Sequence, residues 1–314
     1  MTSTDKIKGL IFGQAIGDAL GLASEFMTKQ EVRYNYPNGI CSYDDMIQDR
    51  HRSIWKRGDW TDDTDQMLCI LDSIQECKTV DLSDIANRFV QWKNANGKGI
   101  GRHTLQVLSI RGYAENPFKA SELVWNISKK QSAANGGIMR TAILGCWDYS
   151  DWETMRKNTE YVCRLTHFDP RCVGSCVIIS YIVHRCLQKQ DVSKTELLNI
   201  ASKYDSRIAE YVEIAYQDSV DNLKLDEPGK TGYSLKTMSA ALWAYHNSSE
   251  FYSGLRSVIE QGGDADTNGA VTGALLGVKF GYSLLPNVLV DNLTRKEYLM
   301  KKVNRFIICS RWVK

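Results

Sequence analysis

Two short stretches carry the residues from which chemistry could be built. One is Gln261-Gly262-Gly263-Asp264-Ala265-Asp266-Thr267-Asn268; the other, far upstream, is Thr61-Asp62-Asp63-Thr64-Asp65. Each couples acids with threonine where an apolar, helix-like run begins. Glycine permits positive φ or close backbone approach, and Asp or Thr at a helix start caps free N–H groups. Both stretches therefore read as tight turns feeding helices. A capped turn with no further role has the same form, so the recurrence of the pattern is what points to chemistry. Four carboxylates gathered in one small pocket would repel, and their pKa values would rise unless cations neutralised them. Oxygen ligands without thiolate or imidazole suit Mg²⁺ or Mn²⁺. Adjacent carboxylates such as Asp62 and Asp63 can bridge or divide between two ions about 3.5–4 Å apart.

The elements that must position these groups are helices. Helical periodicity dominates, and strand-like alternation is scarce. A first helix is expected over residues 6–26, with Gly9, Gly13, Gly17 and Gly21 one turn apart along one side. The helix predicted over 266–285 repeats the device with Gly269, Gly273, Gly277 and Gly281. Glycine costs about 1 kcal/mol per helical position relative to Ala, so four in register imply a packing reason. The expectation is that these two helices lie close together in the centre and bring the residues at their ends near each other. A long loop is expected over 27–60, then a helix opening at Asp62. Further helices are predicted near 82–94, 102–112, 117–130, 138–147, 152–165, 171–189, 193–203, 205–222, 235–246, 250–261 and 294–306. No linker, low-complexity run or clear repeat divides the chain, so it reads as one all-α domain.

Composition narrows the function classes. A chain of 314 residues with 43% hydrophobic content can bury a sizeable core. Its formal charge is +2, with both signs interspersed, which favours neither nucleic acid nor an anionic membrane. The nine cysteines are scattered without a Cys-x-x-Cys pair and read as reduced core residues of a cytoplasmic protein. The N-terminus lacks a signal pattern. The apolar run 269–285 is short for a bilayer span and contains Lys279.

Three more motifs join the two acidic ones: Gly17-Asp18-Ala19-Leu20-Gly21 with Glu25, Asn135-Gly136-Gly137-Ile138-Met139-Arg140, and Thr166-His167-Phe168-Asp169-Pro170. Together, in this order, the five resemble the ADP-ribosylglycohydrolase family of the dinitrogenase reductase-activating glycohydrolase type. The resemblance implies a compact single-domain orthogonal helical bundle over 1–314. It implies that Thr61, Asp62, Asp63, Asp264, Asp266 and Thr267 hold two divalent cations, Mg²⁺ or Mn²⁺. Glu25 matches an acidic residue on a mobile loop beside the metals, and Glu25, Asp63 and Asp264 are the catalytic candidates. Asn135, Gly136, Gly137, Ile138 and Met139 match a loop that wraps the diphosphate and distal ribose. His167 matches a cleft residue near the ADP-ribose, and Gly99, Gly101 and Thr104 resemble a further cleft loop. The residues agree with this on their own chemistry, since Asn-Gly-Gly bares backbone N–H groups and a following helix favours an anion. Asp18, inside the first helix, is expected to be a buried hydrogen-bonding residue, and His103 a core or surface residue.

The reaction implied is hydrolysis at C1 of the distal ribose of an ADP-ribosyl adduct, with metals holding the ribose hydroxyls and activating water. Arginine-linked ADP-ribose is the first choice of substrate. Serine-linked, poly- and O-acetyl-ADP-ribose stay open, because specificity is expected in the loops 27–60 and 225–233. A two-metal phosphohydrolase acting on the diphosphate would use the same carboxylates, and a non-catalytic, crystallin-like ADP-ribose binder is the remaining alternative. The expected partner is an ADP-ribosylated protein or ADP-ribose conjugate, met by a monomer.

Overall fold

Glycine spacing decides what lies at the centre. The structure, a computed structural model, describes residues 1–95, 97–147 and 151–309. It contains the helices α1 (Ser3–Gly21), α2 (Lys29–Asn35), α3 (Asp62–Cys77), α4 (Leu82–Ala95), α5 (Arg102–Leu108), α6 (Pro117–Ile127), α7 (Ile138–Thr141) and α8 (Trp152–Arg164). The remainder are α9 (Pro170–Leu187), α10 (Lys194–Ala201), α11 (Arg207–Ala215), α12 (Ser234–Asn247), α13 (Phe251–Ile259), α14 (Ala265–Phe280), α15 (Asn287–Asp291) and α16 (Lys296–Cys309). No strand occurs among the described residues, so the architecture is all-α as expected.

Helices α1 and α14 run antiparallel with their backbones in contact. A Cβ built on Gly9, Gly13 or Gly17 would lie 2.1, 2.2 or 1.9 Å from the carbonyl oxygen of Gly277, Gly273 or Gly269. Only hydrogen fits in that gap, which is why both ridges are glycine. The fourth glycine of each ridge departs from the pattern. Gly21 faces Ala265, and Gly281 lies beyond α14 with φ +81°, so the helix predicted over 266–285 stops at Phe280.

Two polar residues inside α1 tie other elements to this pair. Asp18 accepts from the Thr61 N–H at 2.9 Å, the Thr64 N–H at 3.0 Å and the Thr64 hydroxyl at 2.7 Å. The first turn of α3 is therefore capped from α1, and the Thr61 side chain, at the N-cap, makes no cap bond of its own. Asp264, at the N-cap of α14, makes none either. One turn before Asp18, Gln14 donates to the carbonyls of Met139 at 2.9 Å and Asp63 at 3.3 Å. Fully buried polar groups need such partners, and here the partners fix where α3 and α7 begin.

Several predicted boundaries move for local reasons. The first helix ends at Gly21 rather than residue 26, because the chain turns back over Gly262 and Gly263. Those glycines have φ of +71° and +70°, and a Cβ on them would meet the Met27 and Leu225 carbonyls at 2.1 and 2.2 Å. The expected loop 27–60 holds α2, started by a Thr28/Glu31 capping box. The helix expected over 205–222 is α11 followed by a 3₁₀ turn at Val220–Leu223, and that over 138–147 is one α-turn continued as 3₁₀. No helix among the described residues is long and apolar enough to cross a membrane.

Candidate active site

The ends of α1 and α14 and the start of α3 converge on one cavity of about 780 Å³. Its floor is acidic. Oxygens of Glu25, Asp264 and Asp266 all lie within 4.8 Å of one another. The Thr61 hydroxyl reaches Asp63 Oδ2 at 3.3 Å and Asp266 Oδ2 at 3.5 Å, so the two distant stretches meet. Asp62 and Asp63 also line the cavity, as does Thr267. Because neither N-cap side chain is spent on its helix, these groups are free to face inward.

Burial raises the pKa of every carboxyl in this set, and repulsion from neighbouring carboxylates adds to it for all but Asp264. Asp62 is held well up by desolvation and by the charges of Asp18, Glu25 and Asp264. Asp63 and Asp266 behave alike, for the same causes. Asp264 and Glu25 are also raised by burial, but each has a donor that opposes the shift: Asn135 for Asp264 and His51 for Glu25. Asp63 Oδ1 is buried without a hydrogen-bond partner. An all-oxygen donor set with stranded negative charge is what a hard divalent cation requires, so the residues fit such an ion.

A relay of hydrogen bonds joins the acidic floor to the opposite wall. Arg140, fully buried, donates from Nη1 to Gln66 Oε1, and Gln66 donates to Asp62 Oδ2 at 2.9 Å. From Nη2, Arg140 donates to the Thr166 hydroxyl, which lies 2.7 Å from His167 Nδ1. That bond occupies Nδ1 and leaves only Nε2 of the ring. That Nε2 is buried without a partner and lies beside Gly136. Desolvation, with the nearby His103 and Arg140, lowers the His167 pKa well below its usual value. The wall thus presents a neutral imidazole with an unpaired Nε2.

Most of the expected site residues are brought together. Glu25, Asp62, Asp63, Gly99, Gly101, Thr104, Asn135, Gly136, Met139, His167, Asp264, Asp266 and Thr267 line the cavity. Thr61 reaches it through its two carboxylate contacts. Gly137 and Ile138 do not line it. Gly137 packs behind, where a Cβ would meet Cys163 Sγ at 3.0 Å, and Ile138 is wholly buried in the core. The helix after this loop is a single turn with little dipole, and the Asn135 N–H is spent on the Gly232 carbonyl at 3.0 Å. The Asn135 side chain instead donates to Asp264 Oδ2 at 2.7 Å.

Sequence reasoning missed some of the wall. His103, read as core or surface, lines the cavity between the Ser132 hydroxyl at 2.9 Å and the Thr166 carbonyl at 3.0 Å. A lone histidine gives no signal by itself. Phe26, at the end of the helix expected over 6–26, also lines it, as do Met27, Thr28, Asp226 and Thr231 from the two loops expected to carry specificity.

A sequence model of the ADP-ribosylglycohydrolase family matches residues 1–312. The chain belongs to the ADP-ribosylglycohydrolase family. Among its relatives is an ADP-ribosylarginine hydrolase of Serratia proteamaculans, 26% identical over 302 residues, covering 94% of this chain and 77% of the relative. An ADP-ribosyl-[dinitrogen reductase] glycohydrolase of Rhodospirillum rubrum is 27% identical over 308 residues, covering 93% and 91%. A solved ADP-ribosylglycohydrolase-related protein complex superposes with a TM-score of 0.78 at 24% identity, over 98% of this chain and 99% of that one. That likeness speaks to the fold. As an ADP-ribosylglycohydrolase, the protein is a glycosidic-bond hydrolase, and it carries a buried acidic cluster.

Proposed function

We propose that this ADP-ribosylglycohydrolase releases ADP-ribose from arginine side chains of modified proteins, by attack of water at C1 of the distal ribose. The observation that carries the reading is the meeting of Asp63 with Asp266 across the Thr61 hydroxyl, in the cavity that Asp62 and Asp264 also line. The names of the relatives from Serratia proteamaculans and Rhodospirillum rubrum support an ADP-ribosylated protein as substrate and favour the arginine linkage.

Thr61, Asp62, Asp63, Asp264, Asp266 and Thr267 would hold two divalent cations, Mg²⁺ or Mn²⁺. When bound, these supply Lewis-acid polarisation of the ribose hydroxyls and lower the pKa of water. The chain's own residues do the rest. Asn135 and Thr61 fix the rotamers of Asp264 and Asp63, so the donor set is preorganised. Glu25 is the proton acceptor: it sits beside Asp264 and Asp266, and its Oε2 is held by His51 Nε2 at 2.6 Å. Its second oxygen takes the proton of attacking water and passes it to the departing guanidino nitrogen as the C1–N bond breaks. Gly136 and His167 form the wall for the diphosphate, remote binding that orients C1 over the acids.

The test is incubation with Mg²⁺ or Mn²⁺ and, separately, arginine- and serine-ADP-ribosylated peptides. Free ADP-ribose from the arginine peptide is the expected product. Release from the serine peptide alone would reassign the linkage, and AMP would mean cleavage of the diphosphate instead.

A further inference from the structure

Six described residues other than glycine have positive φ; five are lysines and the sixth is Phe26, at φ +60°. The lysines lie at or just past helix ends, where a left-handed residue ordinarily terminates a helix. An aromatic residue there is an outlier that the surroundings must hold in place. Phe26 is held by its N–H, which donates to the Gly263 carbonyl at 2.6 Å, while the Gly263 N–H returns to the Met27 carbonyl at 2.8 Å. The strain does not serve packing, because the Phe26 side is 62% exposed. Instead it sets the ring at the mouth of the cavity, one residue after Glu25.

Contacts order the cavity from one end to the other. His167 and Thr104 stand against Gly136, Asn135 bonds Asp264, and Asp264 lies beside Glu25. With the diphosphate at the His167 end and C1 over the acids, the leaving group emerges on the Phe26 side. The ring leans on His51, centroids 5.3 Å apart at 48°, and His51 in turn meets Trp55 at 5.5 Å. Trp55 already carries a cation, the Lys98 ammonium at 4.8 Å from its centroid. No lysine or arginine of the described residues lies over Phe26, and the His51 beside it is paired with Glu25 at 2.6 Å. Glu25, Asp226 and Arg102 line the same cavity.

We infer that Phe26 is the specificity-determining residue for the leaving group, an aromatic ledge on which the planar cationic guanidinium of ADP-ribosylated arginine stacks. A guanidinium is both planar and weakly hydrated, so it stacks on an aromatic face better than a compact ammonium does. A serine-linked adduct offers no such plane or charge. The inference rests on the hydrolase reading above and names the part of the substrate that the exposed rim selects.

Three substitutions test it, with thermal melting as the fold check. Phe26→Gly removes the ring and suits φ +60°, so it keeps or raises the melting temperature. Phe26→Leu keeps apolar bulk without a π face, and Phe26→Trp keeps the face. With the arginine-linked peptide, Phe26→Gly and Phe26→Leu are expected to lose about 3- to 30-fold in kcat/KM, mainly through KM, while Phe26→Trp stays near wild type. The ratio of arginine- to serine-linked turnover falls with them. If wild type hydrolyses the arginine peptide and Phe26→Leu matches it, the ledge is overturned and the hydrolase reading stands. If wild type releases no ADP-ribose from the arginine peptide, both fall.

Discussion

Asp63 Oδ1 has no partner, while its other oxygen takes the Thr61 hydroxyl. Without cations that arrangement opposes folding; in the proposed site, bound cations would offset it. Asp63→Asn or Asp266→Asn is therefore expected to act in opposite senses on two measurements. Turnover falls by about 100-fold or more, the scale of a lost metal-stabilised charge. In EDTA the melting temperature rises by about 2–4 °C, since one buried repelling charge is gone. A variant that loses both activity and metal-free stability would mean the carboxylate is structural.

The same groups set a pH dependence whose sign follows from burial. Asp18 is raised to about 7 by desolvation, against the opposing bonds of Thr61 and Thr64. Asp62, Asp63 and Asp266 are likewise raised well above the usual carboxylate range by burial and by neighbouring carboxylates. A carboxyl whose folded pKa exceeds its unfolded value binds more protons when folded, so stability falls as pH rises between the two values. Glu196 and Glu227, at about 2, are ionised throughout that window and do not mask it. His103, His167 and His184, held neutral by burial, act in the opposite sense below about pH 6.5, so in EDTA the melting temperature is expected to drop from about pH 7 to pH 8, and Mn²⁺ to restore more at pH 8. A metal-free melting temperature that climbs over this range would contradict the account.

At the scale of elements, the α1–α14 contact shows two effects in competition. Replacing a mid-helix glycine by alanine gains about 1 kcal/mol of propensity. At Gly17 the new Cβ would lie 1.9 Å from the Gly269 carbonyl oxygen, which is backbone and cannot swing aside. Overpacking of that kind costs about 1–3 kcal/mol or more, so the clash wins. Gly17→Ala is expected to lower the melting temperature and the activity together, because the ends of both helices carry site residues. Gly101→Ala has open space around the new Cβ and ordinary φ, and leaves the melting temperature unchanged. Calorimetry of the two variants checks the contrast. The glycine ridges were legible because a four-residue spacing has one geometric meaning in a helix. The helix α2 was missed, because 27–60 read as one long loop, although Thr28-x-x-Glu31 marks its start.

Across the whole molecule, what could be read was what repeats or pairs locally. The acid–threonine stretches, the Asn-Gly-Gly turn and the buried Asp18 all announced themselves by residue type and spacing. What could not be read depends on tertiary approach. His103 becomes a wall residue only because Ser132 and the Thr166 carbonyl hold it there. Ile138 leaves the site because α7 turns its side chain into the core. Asp18 and Gln14 explain why this works as one assembly: a single buried helix positions the first turns of α3 and α7, and its end meets α14. The central claim is that two acidic stretches far apart in sequence form one cation site. Mn²⁺ binding followed by electron paramagnetic resonance tests it most directly, on wild type, Asp62→Asn and Asp266→Asn. The account expects about two coupled Mn²⁺ ions per chain, with the coupling lost when either stretch is altered. Coupled ions that persist in Asp266→Asn would contradict it.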